Sequence, residues 1–320
     1  MSRDTLLSIG EALIDFIPEQ VGCDFSEVQG FHPAVGGAPA NVCGAFVRLG
    51  GKARLLTQLG ADPFGTKISH ELAAFGIDTS AIRYTERANT SLAFVSLAAD
   101  GNRTFSFYRN PAADMLYAPE QVDPACFTDG YALHFCSVSL GEFPMRDAHR
   151  TAIGYARESD MLISFDPNLR FPLWPDRDAL HRAVWEFLPQ AHILKISDEE
   201  LEFLTGETDI HTALPKLFTG SVQIVIYTCG GRGAYAFTRT AQAFAAAQSI
   251  AATDTTGAGD GFIGSLLYQL HRDGVTLHTI GSLDAQALEA YLTFSHRFCG
   301  ISVRRSGAIA SYPTLREMQD

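Results

Sequence analysis

The chain has 320 residues, 46% of them apolar and 19% charged, with a formal net charge of -12. This is enough chain for one large core with a smaller appendage, and too apolar for a disordered segment. The acidic balance argues against a nucleic-acid or anionic-membrane surface, so any phosphate chemistry needs positive potential supplied locally. Met1 to Gly10 lacks a basic segment followed by an apolar run, and no stretch reaches bilayer-spanning length. A cytoplasmic protein with no secretory leader is expected. The six cysteines (Cys23, Cys43, Cys126, Cys136, Cys229, Cys299) form no C-x-x-C pair, which fits small buried hydrophobes in a reducing compartment.

In chain order, residues 6–9 form a short apolar run of strand length, and 12–17 read as a second strand followed by a loop to residue 33. Helical spacing covers 39–49, a strand 55–59, and a second helix 64–75. Residues 91–109 read as a hairpin turning at Asp100-Gly101. In its second strand Arg103, Phe105, Phe107 and Arg109 share one face, and Thr104, Ser106 and Tyr108 the other. Strands over 132–138, 161–165, 192–196 and 222–227 then alternate with helices over 146–157, 178–187 and 198–204. A last apolar helix covers 261–270. The alternation predicts an α/β fold, with a mostly parallel central sheet and helices on both faces. Strands at 12–17 and in the hairpin have no helices between them, which predicts a small antiparallel β lid closing one side of a cleft. The expected division is a core of 1–11, 34–88 and 115–320 and a lid of 12–33 and 89–114.

The sharpest local signal is Asp254-Thr255-Thr256-Gly257-Ala258-Gly259-Asp260, which runs straight into the last helix. A helix N-terminus carries unpaired N–H groups and partial positive charge, and small residues there let an anion approach the backbone. Asp260 at such a mouth repels phosphate, but it can accept the proton of a hydroxyl attacking a phosphoryl group. In isolation it could equally cap the helix. A second segment, Gly36-Gly37-Ala38-Pro39-Ala40-Asn41, places a glycine pair and an amide side chain before and on the first turn of a helix, where a ligand can come close. No G-x-x-x-x-G-K-[ST] loop occurs, and no G-x-G-x-x-G follows the first strand, which removes the Rossmann dehydrogenase reading.

Together these two strings resemble the N- and C-terminal signatures of the ribokinase (PfkB) family of carbohydrate kinases, and the resemblance runs from about residue 5 to residue 313. It implies a ribokinase-like single domain with the sugar held between core and lid. Asp15, Gly36, Gly37 and Asn41 match the sugar-contacting positions. Gly257, Ala258 and Gly259 match the anion hole, and Asp260 matches the catalytic base. Nucleotide contacts are expected from Lys195, Thr228, Gly230 and Gly233, from Gly257 and Gly259, and from the segment of His296 to Gly307.

Magnesium is expected with the ATP phosphates, near Glu200 and Asp166. Ser197 replaces the asparagine of the family's Asn-x-x-Glu. A potassium ion beside the anion hole would fall to Asp254, Thr256, Ser302, Arg305, Gly307 and Ser311. A homodimer through the lid is also implied.

Three strings look most like fructokinases: Phe107-Tyr108-Arg109-Asn110-Pro111-Ala112-Ala113-Asp114-Met115, Leu133-His134-Phe135-Cys136-Ser137, and Asp166-Pro167-Asn168-Leu169-Arg170. Phe107 is expected over the sugar, Arg109 facing the cleft on sugar hydroxyls or the phosphoryl group, and Arg170 near the phosphates. Arg109 could instead pair with Asp114 and brace the lid. The leading expectation is transfer of the ATP γ-phosphoryl group to O6 of fructose. Other acceptors kept open are 2-keto-3-deoxygluconate, ribose, a nucleoside and aminoimidazole riboside. A non-catalytic sugar or nucleotide sensor is the alternative of another class.

Overall fold

The computed structural model describes residues 3–20, 22–23, 25–97 and 103–319. The Asp100-Gly101 turn lies outside them, as do the side chains of Arg103 and Thr104. Along the chain come β1 (Thr5–Ile9), β2 (Leu13–Pro18), β3 (Phe31–Gly36), α1 (Ala38–Arg48), β4 (Lys52–Leu56), β5 (Gln58–Gly60) and α2 (Pro63–Ala74). Next are β6 (Arg83–Thr85), β7 (Leu92–Leu97), β8 (Arg103–Tyr108), β9 (Gly130–Cys136), α3 (Pro144–Glu158), β10 (Leu162–Asp166) and α4 (Arg177–Phe187). The rest comprises β11 (Ile193–Ser197), α5 (Asp198–Thr205), α6 (Ile210–Leu217), β12 (Ile224–Thr228), β13 (Ala234–Phe237), β14 (Gln242–Ala245), α7 (Ala258–Arg272) and α8 (Ala285–Ser302).

The main sheet has the order β14-β13-β12-β11-β10-β9-β1-β4. It is parallel from β4 to β12 and antiparallel through β13 and β14. Its central strands are apolar at nearly every position because both faces are covered. Leu6, Ala132, Leu162, Ile193 and Ile224 face a core shared with α1, α7 and α8. Leu7, Leu133, Ile163, Leu194 and Val225 face the opposite core, with α3, α4, α5 and α6. Aspartates fix several helix starts: Asp62, Asp176 and Asp284 each accept an N–H of the first turn of α2, α4 and α8.

A second sheet, β3-β2-β7-β8, forms the lid. The β2–β3 and β7–β8 pairs are antiparallel, and the two hairpins join through a parallel β2–β7 pairing. The stretch expected as loop before residue 33 thus already contains the start of β3. That strand carries Pro33 and lies at a sheet edge, where a missing N–H is tolerated. The expected strand over 55–59 is divided: β4 closes the main sheet, and β5 turns away to pair with β6.

Register gives the lid two unlike faces. Asp15, Ala93 and Phe107 lie in one cross-strand row, and Phe16, Phe94 and Ser106 in the next, pointing the other way. Strand order reverses between β1 and β9, with consecutive elements leaving β1 to opposite sides. Open α/β sheets bind ligands in the crevice at the carboxyl ends of strands at such a switch point. Glu11, Ser137, Asp166, Ser197 and Thr228 stand at or just beyond those ends.

Candidate active site

Helix α7 begins in a loop bent by Gly257, whose φ of 71° is left-handed. A side chain at Gly257 would meet the Tyr312 hydroxyl, which donates to the Gly257 carbonyl at 2.6 Å. Glycine is therefore needed for conformation and for space. Gly257, Ala258 and Gly259 form the N-terminal end of a fifteen-residue helix at the cleft, with the Ala258 N–H donating to the Thr255 carbonyl at 3.2 Å.

Asp260 follows, 9% exposed. Its Oδ2 accepts from Asn41 Nδ2 at 2.9 Å, and its Oδ1 from Asn168 Nδ2 at 3.4 Å. Burial raises its pKa, opposed by the Asn41 hydrogen bond and by the charges of Lys195 and Arg170. A carboxylate held by hydrogen bonds from two neutral amides, which do not protonate it, is suited to accept a proton.

A cavity of about 250 Å³ lies over the helix end, lined by Asn168, Arg170, Lys195, Glu200 and Gly257 to Asp260. Lys195 Nζ, expected beside the nucleotide, lines this cavity and forms a buried ion pair with Asp166 Oδ2 at 2.6 Å. A Cβ at Gly259 would come within 3.3 Å of that ammonium. Burial opposes the Lys195 charge, but Asp166 and then Glu200 hold its pKa well above the usual lysine range. Burial pushes the Asp166 carboxyl up to about 7 against the pull of Lys195, with Glu200 adding to the rise. We take the pair as ionised because its two charges are in hydrogen-bond contact.

Asp166 Oδ1 is buried and has no hydrogen-bond partner among the described residues. An orphaned carboxylate oxygen beside an anion cradle fits a cation partner. Glu200 uses Oε1 to accept the Leu169 N–H and Oε2 to accept the Ser197 N–H at the start of α5. Each oxygen keeps a second lone pair toward the cavity. The Ser197 side chain makes no capping hydrogen bond; its backbone N–H to Glu200 ties the start of α5, and that contact does not depend on the departure from asparagine.

A cavity of about 100 Å³ lies between the lid and the switch point. Asp15, Phe105 and Phe107 enter it from the lid, and Gly37 and Asn41 from the start of α1. Gly36 sits against Asp15, where a side chain would overlap the carboxylate. Phe105 and Phe107 stack at 5.7 Å along one edge of β8.

Arg109 corrects an expectation. It does not face the cleft but is buried beneath the lid, with Nε on Asp114 Oδ2 at 2.8 Å, Nη1 on the Val138 carbonyl at 3.1 Å, and Nη2 on Asp114 and Ser139. The bracing role is the one the geometry supports, because β8 has ended at Tyr108 and the alternation of the strand no longer aims the next side chain.

On the far side of the helix end, a more apolar cavity of about 310 Å³ is lined by Thr228, Gly230, Gly233, Phe262, His296 and Val303, among others. The His296 ring meets Phe262 edge-on at 5.2 Å, and its Nε2 is buried without a partner among the described residues. His296, Cys299 and Val303 fall in the segment of His296 to Gly307 expected at the nucleotide, whereas Ala247, Gln248 and Ile250 had no sequence signature.

The expected cation positions converge around Asp254. Its Oδ1 accepts from Thr256 N and Oγ1, and its Oδ2 from Gly307 N, drawing the 254–256 and 302–311 loops together. Ser302 and Ser311 hydroxyls lie 2.6 Å apart beneath them. Arg305 directs its guanidinium away, to Glu317; only its carbonyl is relevant there.

The three cavities are contiguous. The nucleotide-side cavity shares Thr255, Ala258 and Gly259 with the phosphate cavity, which shares Asn168, Arg170, Gly257 and Asp260 with the lid cavity. The helix end is the wall common to all.

Comparison with known proteins agrees with this layout. Residues 3–315 match the family described as pfkB family carbohydrate kinase. Probable fructokinase-4 of Arabidopsis thaliana is 38% identical over 319 residues, covering 99% of this chain and 96% of that one. The solved fructokinase of Xylella fastidiosa with bound ATP superposes with a TM-score of 0.91 at 32% identity, covering 99% of this chain and 97% of that one. A double mutant of the Vibrio cholerae O395 fructokinase, solved with fructose, ADP and potassium ion, gives a TM-score of 0.88 at 29% identity, covering 99% and 98%. The chain belongs to the pfkB family of carbohydrate kinases, and its fold is ribokinase-like.

Proposed function

We propose that this protein is an ATP-dependent fructokinase, transferring the γ-phosphoryl group of ATP to O6 of D-fructose. The observation that carries this reading is the position of Asp260: it lines both the lid cavity and the phosphate cavity, at the N-terminus of α7. A hydroxyl offered from the lid cavity meets a base on one side and an anion-stabilising helix end on the other, as in-line transfer requires. Fructokinase relatives spanning the whole chain, one solved with fructose and ADP bound, support fructose as the acceptor.

In the mechanism, Asp15, Gly36, Gly37 and Asn41 orient the sugar, and Phe107 covers it. Asp260 takes the hydroxyl proton while the N–H groups at Gly257, Ala258 and Gly259 receive the charge that builds on the transferring group. Lys195 and Arg170 add positive charge at the same place. The base and ribose of the nucleotide rest against Thr228, Gly230, Gly233 and His296. Magnesium would be held through Asp166 and Glu200 with the ATP phosphates, and supplies charge neutralisation there. Potassium would be held by Asp254 and by oxygens of Thr256, Ser302, Arg305, Gly307 and Ser311, which joins the two loops flanking the anion hole.

We also read the division into a core of 1–11, 34–88 and 115–320 and a lid of 12–33 and 89–114 as functional, with the lid excluding water over bound sugar. The outer lid face carries a cluster of Phe16, Phe31, Phe94 and Tyr108, and Tyr108 is 64% exposed. Such a face on an open-edged sheet supports a homodimer through the lid. Among the described residues no helix is long and apolar enough to cross a membrane. With six free cysteines, the protein is read as cytoplasmic.

The test is ATP consumption with magnesium and potassium against fructose, ribose, 2-keto-3-deoxygluconate, adenosine and aminoimidazole riboside. Fructose is expected to exceed the others in kcat/KM by at least about tenfold, the size of one well-made contact. Another sugar in first place would leave the kinase and replace the acceptor. No turnover with any of them would favour a sensor.

A further inference from the structure

Glu11 is a buried carboxylate that the phosphoryl-transfer reading does not use. It follows β1 at the switch point, is 3% exposed, and borders the lid cavity. Both its oxygens are committed. Oε1 accepts the Ala38 N–H at 3.3 Å, and Oε2 accepts the Ser139 hydroxyl at 2.9 Å.

The first contact meets a local need. Helix α1 has Gly37 at its N-cap, which offers no side chain to the unpaired N–H groups of the first turn. Glycine is required there: φ is 109°, and a Cβ would lie 2.5 Å from the Glu11 carbonyl. Glu11, just past β1, supplies the acceptor that the N-cap residue lacks; burial raises its pKa, opposed first by Arg109. The same first turn carries Asn41, whose amide holds Asp260.

The second contact leads into the lid. Ser139 Oγ accepts from Arg109 Nη2 at 3.2 Å, and Arg109 holds Asp114 through Nε and Nη2. The other oxygen of Asp114 accepts from the Ser91 hydroxyl. Ser91 immediately precedes β7 and Arg109 immediately follows β8, so the two points where the lid hairpin leaves the core are gripped by one carboxylate. The members of the network, Ser91, Arg109, Asp114 and Ser139, are all buried. It holds two carboxylates to one guanidinium, and the N-terminus of α1 supplies the missing positive potential. Removing one member of such a network leaves other buried groups unsatisfied.

We propose, on the kinase reading above, that Glu11 is a positioning residue: it couples both roots of the lid hairpin to the turn of α1 that carries the sugar-contacting glycine and the amide bound to the base. It touches neither reacting atom. Its effect passes through Ala38 to Asn41 on one side, and through Ser139 and Arg109 to Phe105 and Phe107 on the other.

The test compares wild type with Glu11→Ala, Glu11→Gln and Ser139→Ala. The first readout is amide hydrogen exchange without ligands, so it is independent of which sugar is the substrate. Glu11→Ala is expected to speed exchange in peptides covering 91–97, 103–109 and 37–41, with the strands β10 to β12 unchanged. The second readout is steady-state kinetics. Glu11→Ala is expected to raise the sugar KM by about tenfold and lower kcat by about tenfold, with the ATP KM within about twofold, because a small misplacement of a positioned group is costly. Glu11→Gln keeps an acceptor for Ala38 and a partner for Ser139, and should recover most of the loss.

Should Glu11→Ala fail to fold, Ser139→Ala carries the test. It cuts only the link to Arg109, and is expected to speed lid exchange and raise the sugar KM by about threefold. Unchanged lid exchange in both variants would overturn the proposal. Faster exchange with an unchanged sugar KM would also overturn it, since Glu11 would then stabilise the lid without positioning anything. If no sugar is turned over by wild type, the exchange result still decides whether the tie exists, and the kinase reading fails separately.

Discussion

The end of helix α7 and the inner face of the lid form opposite walls of one cleft, built on different principles. The helix end is made of backbone: Gly257, Ala258 and Gly259 have almost no side chain, and their place is fixed by burial of α7 against α1 and α8. The lid wall is made of side chains, Asp15, Phe105 and Phe107, on a four-stranded sheet that borrows its anchorage from Ser91, Arg109 and Asp114. A phosphoryl group is the same in every reaction of this kind, and a wall of fixed N–H groups suits it. Sugars differ in where their hydroxyls lie, and a wall of exchangeable side chains suits that. On the proposed function, the chemistry belongs to the helix end and the choice of acceptor to the lid.

That division can be broken or sharpened by substitution. Asp260→Asn, which keeps size and hydrogen bonding to Asn41, is expected to lower kcat at least about 100-fold, the low end for a general base. The base must be ionised, and its pKa in the protein is raised by burial. The kcat/KM profile should therefore fall as pH drops through a value above the ordinary aspartate range, and this acid limb should be absent from Asp260→Asn. A limb of unchanged position in the variant would assign the titration elsewhere.

Gly257→Ala puts a Cβ into a left-handed conformation and 2.6 Å from the Tyr312 hydroxyl. About 2 kcal/mol of unfolding free energy should be lost in a urea titration, from the conformational penalty and the overlap together. An unperturbed midpoint would mean the helix start relaxes freely.

On the lid side, Asp15→Ala is expected to raise the sugar KM by about tenfold with the nucleotide KM unchanged, the value of charge-assisted hydrogen bonds to a hydroxyl. Equal changes in both constants would join the two walls functionally. The smallest effect is expected at the nucleotide cavity, where His296→Ala should raise the ATP KM by about threefold through loss of one packed ring. A change in sugar KM instead would displace that cavity from its assigned role.

The helix end could be read from sequence because its demands are local. A glycine in left-handed conformation, a small neighbour, a second glycine and a carboxylate follow one another directly, and the apolar helix begins at once. The Gly36-Gly37 and Asn41 segment is legible for the same reason. The parallel main-sheet strands were also legible, since burial on both faces leaves apolar runs broken only by isolated polar residues such as Ser8 and His134; the antiparallel β13 and β14 were not expected.

Relations between distant segments were not legible. Glu11 and Ser139 are 128 positions apart and meet only because strand order reverses between β1 and β9. Arg109 lies five residues from Asp114. Nothing in that spacing says whether the pair opens to the cleft or lies under the lid; the end of β8 decides it. Lys195 is the middle residue of β11, and nothing in its sequence setting gives its buried ion pair with Asp166. Ala247, Ile250 and Ala252, which follow β14, add apolar walls to the nucleotide cavity, and apolar residues carry no mark of which cavity they will line.

The most direct test measures fructose binding by calorimetry and single-turnover phosphoryl transfer in the same preparations of wild type, Asp260→Asn and Asp15→Ala. The account predicts that Asp260→Asn binds fructose within a few-fold of wild type, about 1 kcal/mol or less, while losing transfer. Asp15→Ala should bind fructose weakly and still transfer at saturating sugar. If both variants lose binding and transfer in proportion, the two walls act as one, and the assignment of chemistry to the helix end and choice to the lid is wrong.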